Sequence, residues 1–195
     1  MSEGMMSEKM TDNVYNSFLH GVVDAMPRAL SRSDILRLAP ISHSGEPPAA
    51  YHGALSGIEH FERGGDGTVH ITDRSIPFTI GFPADYLRSV DETLQFRVAR
   101  VNVPLFHPNC REDGTVCLGP QFQPGTALEP LLETIYGIVA SKVVATHHAF
   151  DKRACQYFLG HTEEIRRLRS RATGIWRRRV AARVRREEIQ RGATQ

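Results

Sequence analysis

Cys117 stands between Val116 and Leu118, eight residues after the tripeptide His107-Pro108-Asn109, with Asp113-Gly114 marking a turn between them. The thiolate form of a cysteine is a nucleophile, and its reactivity follows its pKa. Taken alone, a cysteine between two aliphatic residues reads as a small buried hydrophobe. The tripeptide upstream adds a shaped turn, because Pro108 fixes its own φ and biases His107 toward an extended backbone. Glu112 and Asp113 nearby give no reason to expect a strongly lowered thiol pKa. Cys110 follows the tripeptide directly and Cys155 falls in a helical pattern, so both read as structural. Cysteine, histidine and aspartate are also zinc ligands, but no C-x-x-C or H-x-x-x-H spacing occurs, and no metal site is expected.

The run FHPNCREDGTVCLG, Phe106 to Gly119, resembles the ubiquitin-conjugating enzymes in spacing, order and residue type, and IPFTIGFPADY resembles their third strand and following loop. The resemblance covers about Tyr51 to His161. It implies that Cys117 accepts a ubiquitin-like modifier as a thioester from an activating enzyme and passes it to a lysine of a protein target. ATP would be used by that partner, and this chain would need no cofactor. It implies His107 as the scaffold of the turn and Asn109 as the donor to the oxyanion that forms when an amine attacks. Asn109 as a mere brace of the loop stays open, since asparagine is a common turn residue. Family members often place an acidic or polar residue near the cysteine to take the acceptor's proton. Here that loop reads ATHHAFDKRA, making His147, His148 and Asp151 the candidates, with Asp151 also placed to cap the next helix.

Two other readings stand beside this one. A non-catalytic relative of the same fold would bind a modifier without carrying it. A cysteine hydrolase would pair Cys117 with His147 or His148, though no hydrolase motif is present. The sequence also departs from the family. LRSVDET replaces a proline-rich run, and QFQPG stands where a tryptophan is usual, with Phe122 able to fill the space. These two loops usually help to bind ligases, so docking of a standard eukaryotic-type ligase is in doubt, and Tyr86, Leu87 and Thr126 are the candidates for a partner surface. The departures and an arginine bias suggest a diverged bacterial relative from a ubiquitin-like conjugation operon, with antiviral defence as an expected setting.

The chain that must position these residues has 195 residues, 41% hydrophobic and 24% charged, which suits one soluble globular domain with appendages. Its apolar stretch Leu131 to Ala145 is interrupted by Glu133 and Lys142 and is too short to span a bilayer. No signal peptide is read at the N-terminus, and three cysteines without framework spacing suit a reducing compartment, so a cytoplasmic protein is expected. The net charge of +2 is unevenly spread: from His161 onward eleven arginines face four glutamates. Only Lys9, Lys142 and Lys152 are lysines, which fits either a GC-rich genome or an enzyme that limits acceptors on itself.

The expected fold is α+β, the ubiquitin-conjugating-enzyme fold: a four-stranded antiparallel meander with an N-terminal helix and C-terminal helices. Residues 1–12 read as disordered, 13–50 as a helical segment and connector, 51–161 as the catalytic core and 162–195 as a basic helical tail. Two helical pieces are expected over Val14–Leu38, broken near Pro27, the second capped by Ser31 or Ser33 with Ile35, Leu36 and Leu38 on its apolar side. Strands are expected over Ala54–Phe61, Gly67–Thr72, Ile76–Phe82 and Leu94–Val101. Thr126 and Glu129 have the spacing of a capping box, ahead of a helix carrying Leu128, Leu131, Leu132, Ile135, Ile138, Val139 and Val143. Another helix is expected from Asp151, with Ala154, Tyr157 and Phe158 turned inward. In the tail, Ile165, Leu168, Ile175, Trp176, Val180 and Val184 form an uneven stripe. It reads as a helix on the domain, a docking arm for an acidic partner, or a nucleic-acid or membrane contact.

Overall fold

The computed structural model describes residues 3–41, 47–89, 92–145 and 149–172. Its order is α1 (Glu3–Ser31), β1 (Leu36–Pro40), β2 (Ala50–Leu55), β3 (His60–Arg63), β4 (Val69–Thr72), β5 (Ile76–Gly81), a 3-10 helix (Glu92–Phe96), β6 (Ala99–Val101), α2 (Leu128–Val139) and α3 (Lys152–Gly160). A last helix, α4, covers 162–172. The fold is α+β. Its main sheet has the order β1-β2-β5-β6, with each pair antiparallel. No helix among the described residues is long and apolar enough to cross a membrane.

Helix α1 starts at Glu3, inside the stretch whose composition suggests disorder, and it runs through Pro27 where a break is expected. Glu3, Met5, Met6, Glu8, Lys9 and Met10 are good helix formers, and propensity here outweighs polarity. At Pro27 the lost hydrogen bond falls on the solvent side of the helix. Leu19, Val22, Met26 and Ala29 face the core at three-to-four spacing and hold the last turn in place. Glu129 of α2 fastens it from outside, accepting from Arg28 Nε at 2.6 Å and Arg32 Nη1 at 2.7 Å.

Leu36–Pro40 is a strand rather than the expected helix. Its burial alternates, and Leu36, Leu38 and Pro40 pair with Leu55, Gly53 and Tyr51. The Ser33 hydroxyl accepts from the Ile35 N–H at 3.2 Å, closing a local turn instead of capping a helix. The expected strand Ala54–Phe61 divides at Ser56-Gly57 into the end of β2 and the start of β3. β3 and β4 then form a hairpin of their own, His60 opposite Thr72 and Phe61 opposite Ile71. The four-stranded sheet is therefore built from β1, β2, β5 and β6, with the hairpin inserted between its second and third strands. The expected strand Leu94–Val101 starts instead as the 3-10 helix, and only Ala99–Val101 pairs with β5.

Two cores result. Helices α1 and α2 pack their apolar faces on the main sheet around Tyr51, Ile76, Phe78, Ile80, Leu131 and Ile135. A second cluster joins the hairpin to the C-terminal helices through Phe61, Phe106, Ala154, Phe158, Ile165 and Leu168. Ala154 and Phe158 point inward as the pattern predicts. Ile165 and Leu168 anchor the start of the tail on the domain, while Ile175, Trp176, Val180 and Val184 lie outside the described residues. The capping box does not form: the N-cap of α2 is Ala127, and Thr126 Oγ1 donates to the Gln123 carbonyl at 2.6 Å.

The sheet contains one close approach that tests the packing. Gly53 in β2 lies opposite Phe78 in β5, and a Cβ there would stand 2.2 Å from Phe78 Cζ. Because Phe78 is buried in the main core, its ring has little room to retreat. Gly53→Ala should therefore cost about 1–3 kcal/mol through overpacking. A urea melt reads this loss, and the double variant Gly53→Ala/Phe78→Leu should recover part of it.

Candidate active site

The segment 104–119 runs from the edge of the hairpin to the start of the α2 approach. Phe106 N–H donates to the Phe61 carbonyl at 2.9 Å, tying it to β3. A tight turn follows, in which Cys110 N–H donates to the His107 carbonyl at 2.9 Å and Gly114 N–H to the Arg111 carbonyl at 2.9 Å. The turn is clamped to β6 where Val101 N–H donates to the Gly114 carbonyl at 2.9 Å. Gly114 has φ of 85°, and a Cβ at that position would lie 2.1 Å from the Val101 carbonyl oxygen. Only glycine fits this clamp.

His107 is buried, and its Nδ1 accepts the Asn109 N–H at 3.1 Å. Burial, with the Arg169 guanidinium adding to it, pushes its pKa down to about 3. The ring is neutral across the physiological range, with Nδ1 as acceptor. It stands perpendicular to Phe158 with centroids 5.1 Å apart, so it links the turn to the second core.

Asn109 is buried and joins two segments. Its Nδ2 donates to the Cys117 carbonyl at 3.1 Å, and its Oδ1 accepts the Ala145 N–H at 2.8 Å. Its backbone carbonyl accepts the Cys117 N–H at 2.8 Å. Asn109 and Cys117 are thus mutually bonded, and the carboxamide also braces the chain after α2. A carboxamide nitrogen has two hydrogens, and the Cys117 carbonyl takes one.

Cys117 is 7% exposed. Burial raises its thiol pKa, while the Gly119 N–H and the Arg111 charge pull in the opposite direction. Sγ lies 3.6 Å from Gln95 Oε1 in the 3-10 helix. Arg111 itself rests on Phe150, its guanidinium carbon 4.2 Å from the ring centroid, and Phe150 packs on Phe96 at 4.6 Å. Cys110 and Cys155 are buried, and burial raises the Cys110 thiol strongly.

Asp151 is the N-cap of α3, accepting from Arg153 N–H at 2.8 Å and Ala154 N–H at 3.0 Å through Oδ1. The same residue lines a cavity of about 300 Å³ with Arg63, Cys110, Arg111 and Glu112, beside the hairpin turn. The Pro108 carbonyl accepts the Phe150 and Asp151 N–H groups at 2.8 and 3.3 Å, so the tripeptide also sets the approach to α3. His147 and His148 lie outside the described residues. Among the described residues no group of three or more His, Cys, Asp or Glu side chains gathers as a metal site would require.

Tyr86 is not a surface residue. It is fully buried against Phe18, Phe82 and Phe122, and its hydroxyl donates to the Thr126 carbonyl at 2.7 Å. Leu87 and Thr126 are half-buried. The tyrosine of FPADY fills the core because the loop folds back over α1, where Phe18 meets it, a path that residue type alone does not reveal.

Sequence reasoning passed over two features. Gln95 gave no local signal, because its contact with Cys117 spans 22 residues. His60 and Glu62 form a buried pair, Nε2 to Oε1 at 3.0 Å, with Arg74 on the other carboxylate oxygen. Their i, i+2 spacing on one strand face was the available clue. Compared with known proteins, the chain matches no family model and no curated protein.

Proposed function

We propose that the chain is a ubiquitin-conjugating-like transferase in which Cys117 carries a ubiquitin-like modifier as a thioester and delivers it to a lysine amine. The observation that carries this reading is the reciprocal bonding of Asn109 and Cys117, which places an amide donor against the backbone of the nucleophile. The antiparallel order β1-β2-β5-β6, entered from one helix and left toward three, supports the ubiquitin-conjugating fold as its frame.

In the charging step Cys117 sulfur attacks the modifier's thioester on an activating enzyme, and that enzyme's sulfur leaves. Exchange between thioesters is close to thermoneutral, so a strongly acidic thiol is not required. The raised thiol pKa at Cys117 is compatible with this chemistry. In the transfer step an amine attacks the thioester carbonyl, and the role proposed for the second Asn109 N–H is donation to the oxyanion. ATP is consumed by the activating enzyme. The setting proposed is cytoplasmic and bacterial, with the basic tail as an arm for an acidic partner.

The low exposure of Cys117 favours one alternative, a module of the same fold that binds a modifier without carrying it. Incubation with a ubiquitin-like modifier, its activating enzyme and ATP separates the two. The transferase gives an adduct that reductant removes and that Cys117→Ala lacks. The binding module gives no adduct and equal affinity for both proteins.

A further inference from the structure

The side chain facing the Cys117 sulfur comes from outside the motif. Gln95 sits in the 3-10 helix, half-buried, and its carboxamide is oriented from behind. Nε2 donates to the Glu92 carbonyl at 2.9 Å, which leaves Oε1 as the end turned to Sγ at 3.6 Å. The Gln95 backbone carbonyl accepts the Leu118 N–H at 3.3 Å, so the same residue also sets the chain position next to the sulfur. Among the described residues, the other polar groups at Sγ are the Gly119 N–H and the more distant Arg111 charge, both of which favour negative charge there. Gln95 Oε1 therefore stands out as an acceptor among donors.

An amide oxygen accepts and cannot donate. In the uncharged protein its partner is the Cys117 S–H. Once the sulfur is acylated that hydrogen is gone, and the oxygen has lost its donor. The next molecule to approach is an amine, which carries N–H groups and attacks the carbonyl carbon bonded to the same sulfur. As its lone pair forms the new C–N bond, the nitrogen becomes positive and its N–H groups become stronger donors.

We propose that Gln95 is a catalytic residue of the transfer step, its Oε1 accepting a hydrogen bond from the attacking amine in the place vacated by the Cys117 S–H. The inference rests on the thioester reading of Cys117. In the step, the C–N bond forms and the C–S bond breaks. Sulfur leaves with the electron pair, and the proton lost by nitrogen restores the thiol. Gln95 takes no proton at any point; it orients the nitrogen and stabilises its growing charge.

Two variants and two readouts test this. Gln95→Met keeps the length and removes the acceptor, while Gln95→Glu restores an acceptor oxygen. Both leave the backbone bond to Leu118 in place. The first readout is the pH profile of Cys117 alkylation by iodoacetamide, mapped by peptide mass. Losing an acceptor of S–H removes a bond to the neutral thiol, so the Gln95→Met profile should move to lower pH, and the Gln95→Glu profile to higher pH than wild type. The second is single-turnover discharge of a preformed thioester to free lysine. Gln95→Met should charge normally and discharge about tenfold or more slowly, as expected for a lost bond to a charged donor. Gln95→Glu should discharge within a few-fold of wild type.

A structural role for the 3-10 helix would instead slow charging and discharge together without rescue by Glu. That result, an unmoved alkylation profile, or normal discharge by Gln95→Met would each overturn the inference. A wild-type protein that forms no thioester would overturn the reading of Cys117 itself, and this inference with it.

Discussion

Asn109→Ala should still accept a modifier on Cys117 but pass it to free lysine about 10²–10³-fold more slowly, the usual cost of losing an oxyanion donor. The same substitution should destabilise the fold, because Asn109 serves two backbone groups. Without it the Cys117 carbonyl and the Ala145 N–H lose partners at 3.1 and 2.8 Å. An unsatisfied buried group costs about 1–3 kcal/mol. The two effects have to be separated, and Asn109→Asp does so. An ionised aspartate can still accept the Ala145 N–H, but it cannot donate to the Cys117 carbonyl or to an oxyanion. If the donor carries the rate, Asp should discharge as slowly as Ala while melting nearer to wild type. If Asn109 is only a brace, discharge should follow stability, and Asp should fall between the other two. Single-turnover discharge and thermal melts on the same three proteins read both quantities.

The second large effect lies away from the cysteine. Glu62 is 1% exposed and His60 is fully buried. His60 Nδ1 faces the Ile58 carbonyl at 2.9 Å and Nε2 faces Glu62 Oε1 at 3.0 Å, so both ring nitrogens meet acceptors. Arg74 covers the second Glu62 oxygen from the surface. Replacing Glu62 by leucine removes the acceptor at Nε2 and leaves that buried ring nitrogen without a partner, while Nδ1 keeps the Ile58 carbonyl. Leaving a buried polar group without its partner costs about 1–3 kcal/mol, and a urea melt at neutral pH should show a loss of that order. Glu62→Gln, which keeps an oxygen, should lose less.

The Glu62 pair also predicts a pH dependence. Burial pushes the Glu62 carboxyl up, but hydrogen bonds from His60 and Arg74, with their charges, outweigh it and hold the group below its ordinary value of 4.5. A carboxyl depressed in the folded state contributes its stability above the ordinary value and loses it as pH falls through the folded value. Wild type should therefore lose stability progressively below about pH 4.5. Glu62→Leu should show a flatter acid limb. Parallel acid limbs in the two proteins would mean that Glu62 does not contribute through its charge.

These cases show what local sequence carries. The turn that brings Asn109 to Cys117 was legible because one continuous segment supplies its tripeptide, its glycine and the cysteine. Helix α2 was legible from its apolar spacing through Val139, but Val143, expected on the same face, lies beyond its end and is exposed. Leu36–Pro40 was misread because Ile35, Leu36 and Leu38 satisfy a helical stripe and a strand alternation equally well over so short a run. The hairpin strand β4 was visible as a strand, but nothing in Val69–Thr72 says which sheet it joins. That depends on Phe61 and the C-terminal helices forming a second core. Thr126 matched a capping box by spacing, yet helix α2 starts one residue later and Glu129 is drawn to Arg28 and Arg32. Gln95 was invisible for a similar reason, since its contact with Cys117 exists only once the 3-10 helix lies against the segment that carries the cysteine.

The most direct test of the account is peptide mass mapping of the adduct formed with a ubiquitin-like modifier, its activating enzyme and ATP, before and after reductant. The thioester reading predicts a reductant-labile acyl group on Cys117 and none on Cys110 or Cys155, neither of which shares the reciprocal bonding with Asn109. An acyl group on either of those cysteines, or no adduct with an active modifier and activating enzyme, would contradict it.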